Sequence, residues 1–218
     1  MVSGNLLRPL QWVKTVLLDF GLKRNKKFHL ETYGKLPFYN DYISIITSSE
    51  ATAWKNWLLN TFGTDGRNIP KGNWPFIFQF SKSSNLIVGL IEESSDGIRN
   101  FPFSLFSVYK AVRSSKPYNC ESFIDLWKTL IEIRNHLASV PSIEDCYNLL
   151  RGKIITLPAN KNIAGSKGDE QQTVIFDNTV ERPFLTVFKP DGKNNFQMLM
   201  TADTSPTGLI ENWRHLAN

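Results

Sequence analysis

The chain is poor in the residues that most often announce chemistry. It has two cysteines, Cys120 and Cys146, and three histidines, His29, His136 and His215, in 218 residues. The histidines are scattered, so no Cys/His cluster has metal-ligand spacing and no metal or other cofactor is expected. Two cysteines in segments that read as helix are expected to be small buried hydrophobes rather than a disulfide. A nucleophile-elbow Gly-x-Ser-x-Gly is missing, as is a Gly-rich run ending Gly-Lys-Ser/Thr, so neither an α/β-hydrolase nor a P-loop is indicated. No apolar run is long enough to cross a bilayer. Lys14 and Asp19 interrupt the apolar part of the first thirty residues, which argues against a secretory signal and for a cytoplasmic protein.

Acidic residues are nearly absent from the first 27 positions. Arg8, Lys14, Lys23, Arg24, Lys26 and Lys27 stand there against Asp19 alone, which accounts for the whole formal charge of +5. The other 191 residues balance at nineteen basic and nineteen acidic groups. A nucleic-acid-binding body would carry its own basic patch with interleaved aromatics, so no nucleic-acid partner is expected. The basic stretch reads as an extension over 1–27. Pro9 suits a first helical turn, Val13, Val16, Leu17 and Phe20 share a face, and Gly21 is a stop. Such a helix either docks its apolar stripe on the body or a partner, or lies on an anionic membrane surface. Trp12, Lys23, Arg24, Lys26 and Lys27 are the candidate contacts.

The body, 28–218, alternates strand and helix patterns. "FHLETYGK" reads as a first strand ending in a corner at "YGKLPFYNDYI", where Gly34, Pro37 and Asn40–Asp41 are turn residues. "SSEATAWKNWLLNTFG" reads as a capped helix with Trp54, Trp57, Leu58 and Phe62 inward. "PFIFQFSK" sets Phe76, Phe78 and Phe80 against Ile77 and Gln79, and "NLIVGLIEES" and "FPFSLFSVYKAV" read as strands covered on both faces. "KSSN" is short enough for a hairpin, which makes the sheet antiparallel. "ESFIDLWKTLIEIRNHLA" and "SIEDCYNLLRG" read as helices, the latter capped by Ser142. "LPANKNIAGSKGDEQQ" is too polar to offset its ordering entropy and reads as a mobile loop. Three further strands ("TVIFDN", "RPFLTVFK" and "FQMLMTA") and a final helix bearing Leu209, Ile210, Trp213 and Leu216 complete a single α+β domain, an antiparallel sheet flanked by helices.

Glu92, Glu93 and Asp96 in "IEESSDGIRNFP" read either as an acid/base group or as a polar loop between buried strands, and the loop is favoured because no nucleophile or second cluster accompanies them. Nothing in the chain demands an enzyme.

The order of the short motifs is more informative than any one of them. "YGKLPFYNDYI", "WKNWL", "WPFIFQF" and "VGLIEESSDGIRNFPFSL" together resemble the type VI secretion-associated TagF/ImpM family. Gly34, Lys35, Leu36, Pro37 and Asp41 match its opening block, and Ser94, Asp96, Phe101 and Pro102 its second. Asn40 stands where Gly is usual and Tyr42 where Phe is. The stretch from Asp96 to Pro102 is one residue short, and Arg99–Asn100 replaces the usual Gly-Arg. The likeness covers roughly 28–110. It implies a longin/SNARE-like sandwich and a bacterial cytosolic accessory protein that represses secretion-system assembly post-translationally. The implied partner is the forkhead-associated scaffold or another component of the machine. Gly34, Lys35, Leu36, Pro37, Asp41, Ser94, Asp96, Arg99, Phe101 and Pro102 are then the candidate partner contacts, and no catalytic residue is expected. Two other readings of the same fold are a platform for a small GTPase or trafficking partner, and a small hydrolase using Asp41 with the Glu92–Asp96 cluster.

Overall fold

A computed structural model of the chain describes residues 26–62, 69–80, 85–95, 100–110, 118–119, 121–157, 173–174, 183–190, 196–203 and 212–215. Strands β1 (Lys26–His29), β2 (Glu31–Lys35) and β3 (Tyr42–Ile45) are followed by helix α1 (Ser49–Phe62). Next come β4 (Asn73–Gln79), β5 (Asn85–Glu92), β6 (Phe103–Lys110) and the two-residue β7 (Tyr118–Asn119). Helices α2 (Glu121–Leu137) and α3 (Ile143–Leu150) precede β8 (Ile154–Leu157), β9 (Thr173–Val174), β10 (Phe184–Pro190) and β11 (Phe196–Asp203). Seven strands form one sheet in the order β11-β10-β4-β5-β6-β2-β3, every neighbouring pair antiparallel. The pairs β1–β8 and β7–β9 form separate two-stranded ribbons.

Alternation along the central strands divides the core in two. Phe76, Phe78, Ile87, Ile91 and Phe106 point to one face and pack with Ala51, Trp54, Leu58 and Phe62 of α1. Ile77, Leu86, Val88, Leu90 and Leu105 point to the other, against Phe123, Leu126, Trp127, Leu130 and Leu137 of α2. A strand buried on both faces needs apolar residues in both registers, and β4 and β5 supply them. The protein is thus the expected α+β sandwich. Strands β3-β2-β6-β5-β4 lie side by side, with α1 inserted in sequence after β3 and α2–α3 after β6.

Helix ends follow their capping chemistry. Ser48 Oγ accepts from the Ala51 amide at 3.1 Å and Ser142 Oγ from the Asp145 amide at 3.1 Å. Gly152, at φ 70, turns the chain out of α3. Among the described residues, no helix is long and apolar enough to cross a bilayer.

Four sequence readings need correction. The segment expected to be one strand from Phe28 is two. The Leu30 amide donates to the Lys153 carbonyl at 3.0 Å, so β1 leaves the main sheet and pairs with β8, while β2 joins β6. Lys26 and Lys27, read as the end of the extension, lie in β1. Tyr42 and Ile43, read as the tail of the corner, open the edge strand β3, in which Tyr42 and Ser44 point outward and Ile43 and Ile45 inward. Leu157, placed in the polar loop, ends β8. The remainder of that loop (158–172) and most of the final helix lie outside the described residues. Trp213 is within them and is buried against Trp74, ring centroids 5.8 Å apart.

Candidate functional site

The two motif blocks meet at one end of the sheet. β2 runs between β3 and β6, so Gly34 lies opposite Ile43 on one side and Phe103 on the other. Gly34 has φ 130, and a β-carbon built on it would sit 2.0 Å from the Pro102 carbonyl oxygen. Only a residue without a side chain permits that approach. This is the physical reason for a glycine in the first block to accompany Phe-Pro in the second.

The corner after β2 is closed by the Leu36 amide donating to the Asp41 carbonyl at 3.0 Å. Leu36 fills the α2-side core, and Phe38 and Tyr39 pack on its rim. Lys35 is buried, with Nζ 3.4 Å from the Tyr39 carbonyl. The Tyr39 hydroxyl donates to the Val140 carbonyl beyond the end of α2. Arg134, in the last turn of α2, lies 4.7 Å over the Phe38 ring. The same guanidinium makes a two-pronged ion pair with Glu92 at the end of β5, Nε to Oε2 at 2.8 Å and the second contact through Nη2 and Oε1. The end of α2 and the Val140 turn beyond it thereby hold the six-residue corner, with β5 fixing Arg134 through Glu92.

The second block folds back on the first. The Phe101 amide donates to the Ser94 carbonyl at 3.1 Å, and Ser95 bridges Asn100. Phe101 is buried, with its ring edge-on to Tyr33 at 5.8 Å and tilted against Tyr42 at 5.6 Å. Tyr42 is 41% exposed and forms, with Asn40 and Asp41, the solvent-facing rim of the corner.

Burial redistributes the roles of the candidate residues. Gly34, Lys35, Leu36, Ser94, Phe101 and Pro102 are buried and build the corner, so they are not themselves available to a partner. Pro37 is half-buried and Asp41 exposed, which makes them the candidates in position for contact. Asp96 and Arg99 lie outside the described residues, as do Trp12, Lys23 and Arg24. The acid/base reading weakens, since Glu92 is committed to Arg134. Burial, with a lesser contribution from Asp145, pushes the Cys146 thiol up and away from the thiolate that a nucleophile needs.

Arg134 was not legible as part of this site, because its partners sit on a strand and a turn far away in the chain. Removing it by Arg134→Ala is expected to cost about 1–2 kcal/mol, through loss of a partly buried charged pair and of the contact over Phe38. Hydrogen exchange at the Leu36 amide should accelerate at the same time. An unchanged exchange rate there would show that the corner does not depend on Arg134.

No family model matches the chain, and no curated protein matches it. Among solved structures, it is similar to PA0076 from Pseudomonas aeruginosa PAO1, at 14% identity and a TM-score of 0.38, over 86% of this chain and 76% of that one.

Proposed function

We propose that this chain is a protein-binding accessory factor of a bacterial type VI secretion system, similar to TagF/ImpM, which restrains assembly by occupying a surface of the forkhead-associated scaffold or another component. It acts without turning over a substrate. The observation that carries the reading is the interlock of Gly34 with Pro102, because it makes two separately placed sequence blocks a single structural feature. A corner closed on itself and pinned by the end of α2 presents a fixed rim, and a fixed rim spares the ordering cost that a loose loop incurs on binding.

The contact surface in this reading is the rim of Pro37, Asn40, Asp41 and Tyr42. An aromatic resting on a buried ring, beside a carboxylate, has the makings of an interface anchor. Purified chain should retain the forkhead-associated protein of its own host on a column. Asp41→Lys with Tyr42→Ala should weaken retention at least tenfold while the circular dichroism spectrum stays unchanged. Retention unaffected by that pair would remove the rim from the interface. The antiparallel sheet between helices also suits a second reading, a platform for a small GTPase. Recovery of a nucleotide-binding protein in place of any secretion component would select it.

A further inference from the structure

The ribbon formed by β1 and β8 has an outer face of unusual composition. Directly opposed residues in an antiparallel pair share a face. Lys27 lies opposite Thr156 and His29 opposite Ile154, and all four are exposed, while Phe28, Ile155 and Leu157 turn into the core. Ile154 is 46% exposed, the highest value among the large apolar side chains described. Arg151 is exposed in the turn that leads into β8, and Lys153 and Lys26 are half-buried at its margins. Neither 26–30 nor 151–157 contains an aspartate or glutamate, so the outer face carries two exposed cations, Lys27 and Arg151, and no acid of its own, while Lys26 shares the inward register of Leu157 with its Nζ 5.7 Å over the Tyr109 ring. The acids of α3, Glu144 and Asp145, sit in its first turn, at the far end of the helix from Arg151 and about 10 Å away.

We propose that this ribbon is a docking face for an anionic lipid surface, with Lys27, Arg151 and His29 toward head groups and Ile154 at the boundary with the acyl chains. The inference is independent of the secretion reading. An exposed aliphatic side chain on a face that also bears Lys27 and Arg151 suits a lipid interface, whereas single-stranded nucleic acid would be met by aromatic stacking platforms. The chain enters β1 at Lys26 directly from the segment that bears Arg8, Lys14, Lys23 and Arg24 with the apolar series Val13, Val16, Leu17 and Phe20.

The test is flotation of the full chain with vesicles of phosphatidylcholine plus phosphatidylglycerol, and with phosphatidylcholine alone. Binding should need the anionic lipid and fall steeply with salt. Lys27→Glu with Arg151→Glu should reduce it about tenfold or more, since each basic residue at a surface is worth roughly a fivefold change. Lys71→Glu with Lys189→Glu, an equal change of net charge at exposed positions outside the ribbon, should reduce it much less. Ile154→Ser should weaken binding at constant charge. All variants alter exposed side chains, and circular dichroism verifies their folding. The proposal is overturned if binding ignores lipid charge, if it is absent, or if the two charge-reversed pairs behave alike. It is equally overturned if a duplex DNA probe binds more tightly than the vesicles and is lost with the ribbon pair.

Discussion

Replacing Gly34 by alanine is expected to lower the melting temperature by roughly 10 °C or more, or to leave the protein insoluble, for the addition of one methyl group. Two costs combine. A side-chain-bearing residue at φ 130 is strained by about 1–3 kcal/mol. The new carbon would also meet a backbone carbonyl at 2.0 Å, and backbone cannot swing aside as a flexible side chain can. Relief requires β2 and β6 to separate, which forfeits ladder hydrogen bonds and typically adds about 1–3 kcal/mol of overpacking strain. The sum is a large part of the 5–15 kcal/mol that holds an ordinary domain together.

The contrast with Gly152 isolates the cause. Gly152 also has positive φ, at 70, but a β-carbon there meets nothing within 4 Å. Gly152→Ala should therefore cost only about 1 kcal/mol, the price of left-handed backbone alone. Melting curves of the two variants side by side decide the matter. If Gly34→Ala melts within two or so degrees of Gly152→Ala, the interlock with Pro102 is not what fixes the corner.

What the sequence disclosed of this molecule depended on how far each signal reaches. The alternation of Phe76, Ile77 and Phe78 is self-contained, and it correctly assigned the two faces of β4 to opposite cores. Ser48 and Ser142 cap helices through contacts three residues long; Ser142 was legible, while for the first helix Ser48 and Ser49 were equally good candidates. The strands β1, β3 and β8 have four residues each, too few to establish a period, and each is defined by a partner remote in sequence. Leu30 could not disclose that its amide would serve Lys153, so one strand was read where two exist. The candidate site divides in the same way. The order of its motifs was visible and Pro37 was rightly a turn-former, but Gly34, read as a corner residue, is a ladder residue of β2 held against Pro102. Burial of Lys35, Ser94 and Phe101 was not visible, because polar or motif residues carry no local mark of which side of a corner will be covered. The outward rim at Asp41 and Tyr42 emerges only once β6 is placed beside β2.

Trp54→Ala is expected to destabilise the protein by about 3–5 kcal/mol, and Trp54→Phe by about 1–2 kcal/mol. Trp54 is fully buried at the centre of the α1-facing core. Its ring is stacked on Trp57 at 4.9 Å and on Phe76 at 4.7 Å, with Phe78 tilted against it at 4.9 Å. Truncation to alanine leaves a cavity lined by strands that pair on both edges and cannot collapse into it. Phenylalanine keeps most of the ring contacts but loses the bond from the indole Nε1 to Ser104 Oγ, at 3.2 Å. That hydroxyl donates in turn to the Tyr33 carbonyl at 3.0 Å, so it stays satisfied without Trp54 and the penalty remains small. The same bonds tie α1 to β6 and to β2 one residue before Gly34. Loosening them should therefore reach the corner; on the proposed binding reading the Trp54→Ala variant should lose partner retention as well as stability, whereas Leu59→Ala, an exposed position on the same helix, should change neither by more than about 1 kcal/mol. Urea denaturation of the three variants measures the first effect and column retention at low temperature, where each is still folded, the second. Equal midpoints for Trp54→Ala and Leu59→Ala would show that α1 is held by something other than this aromatic stack.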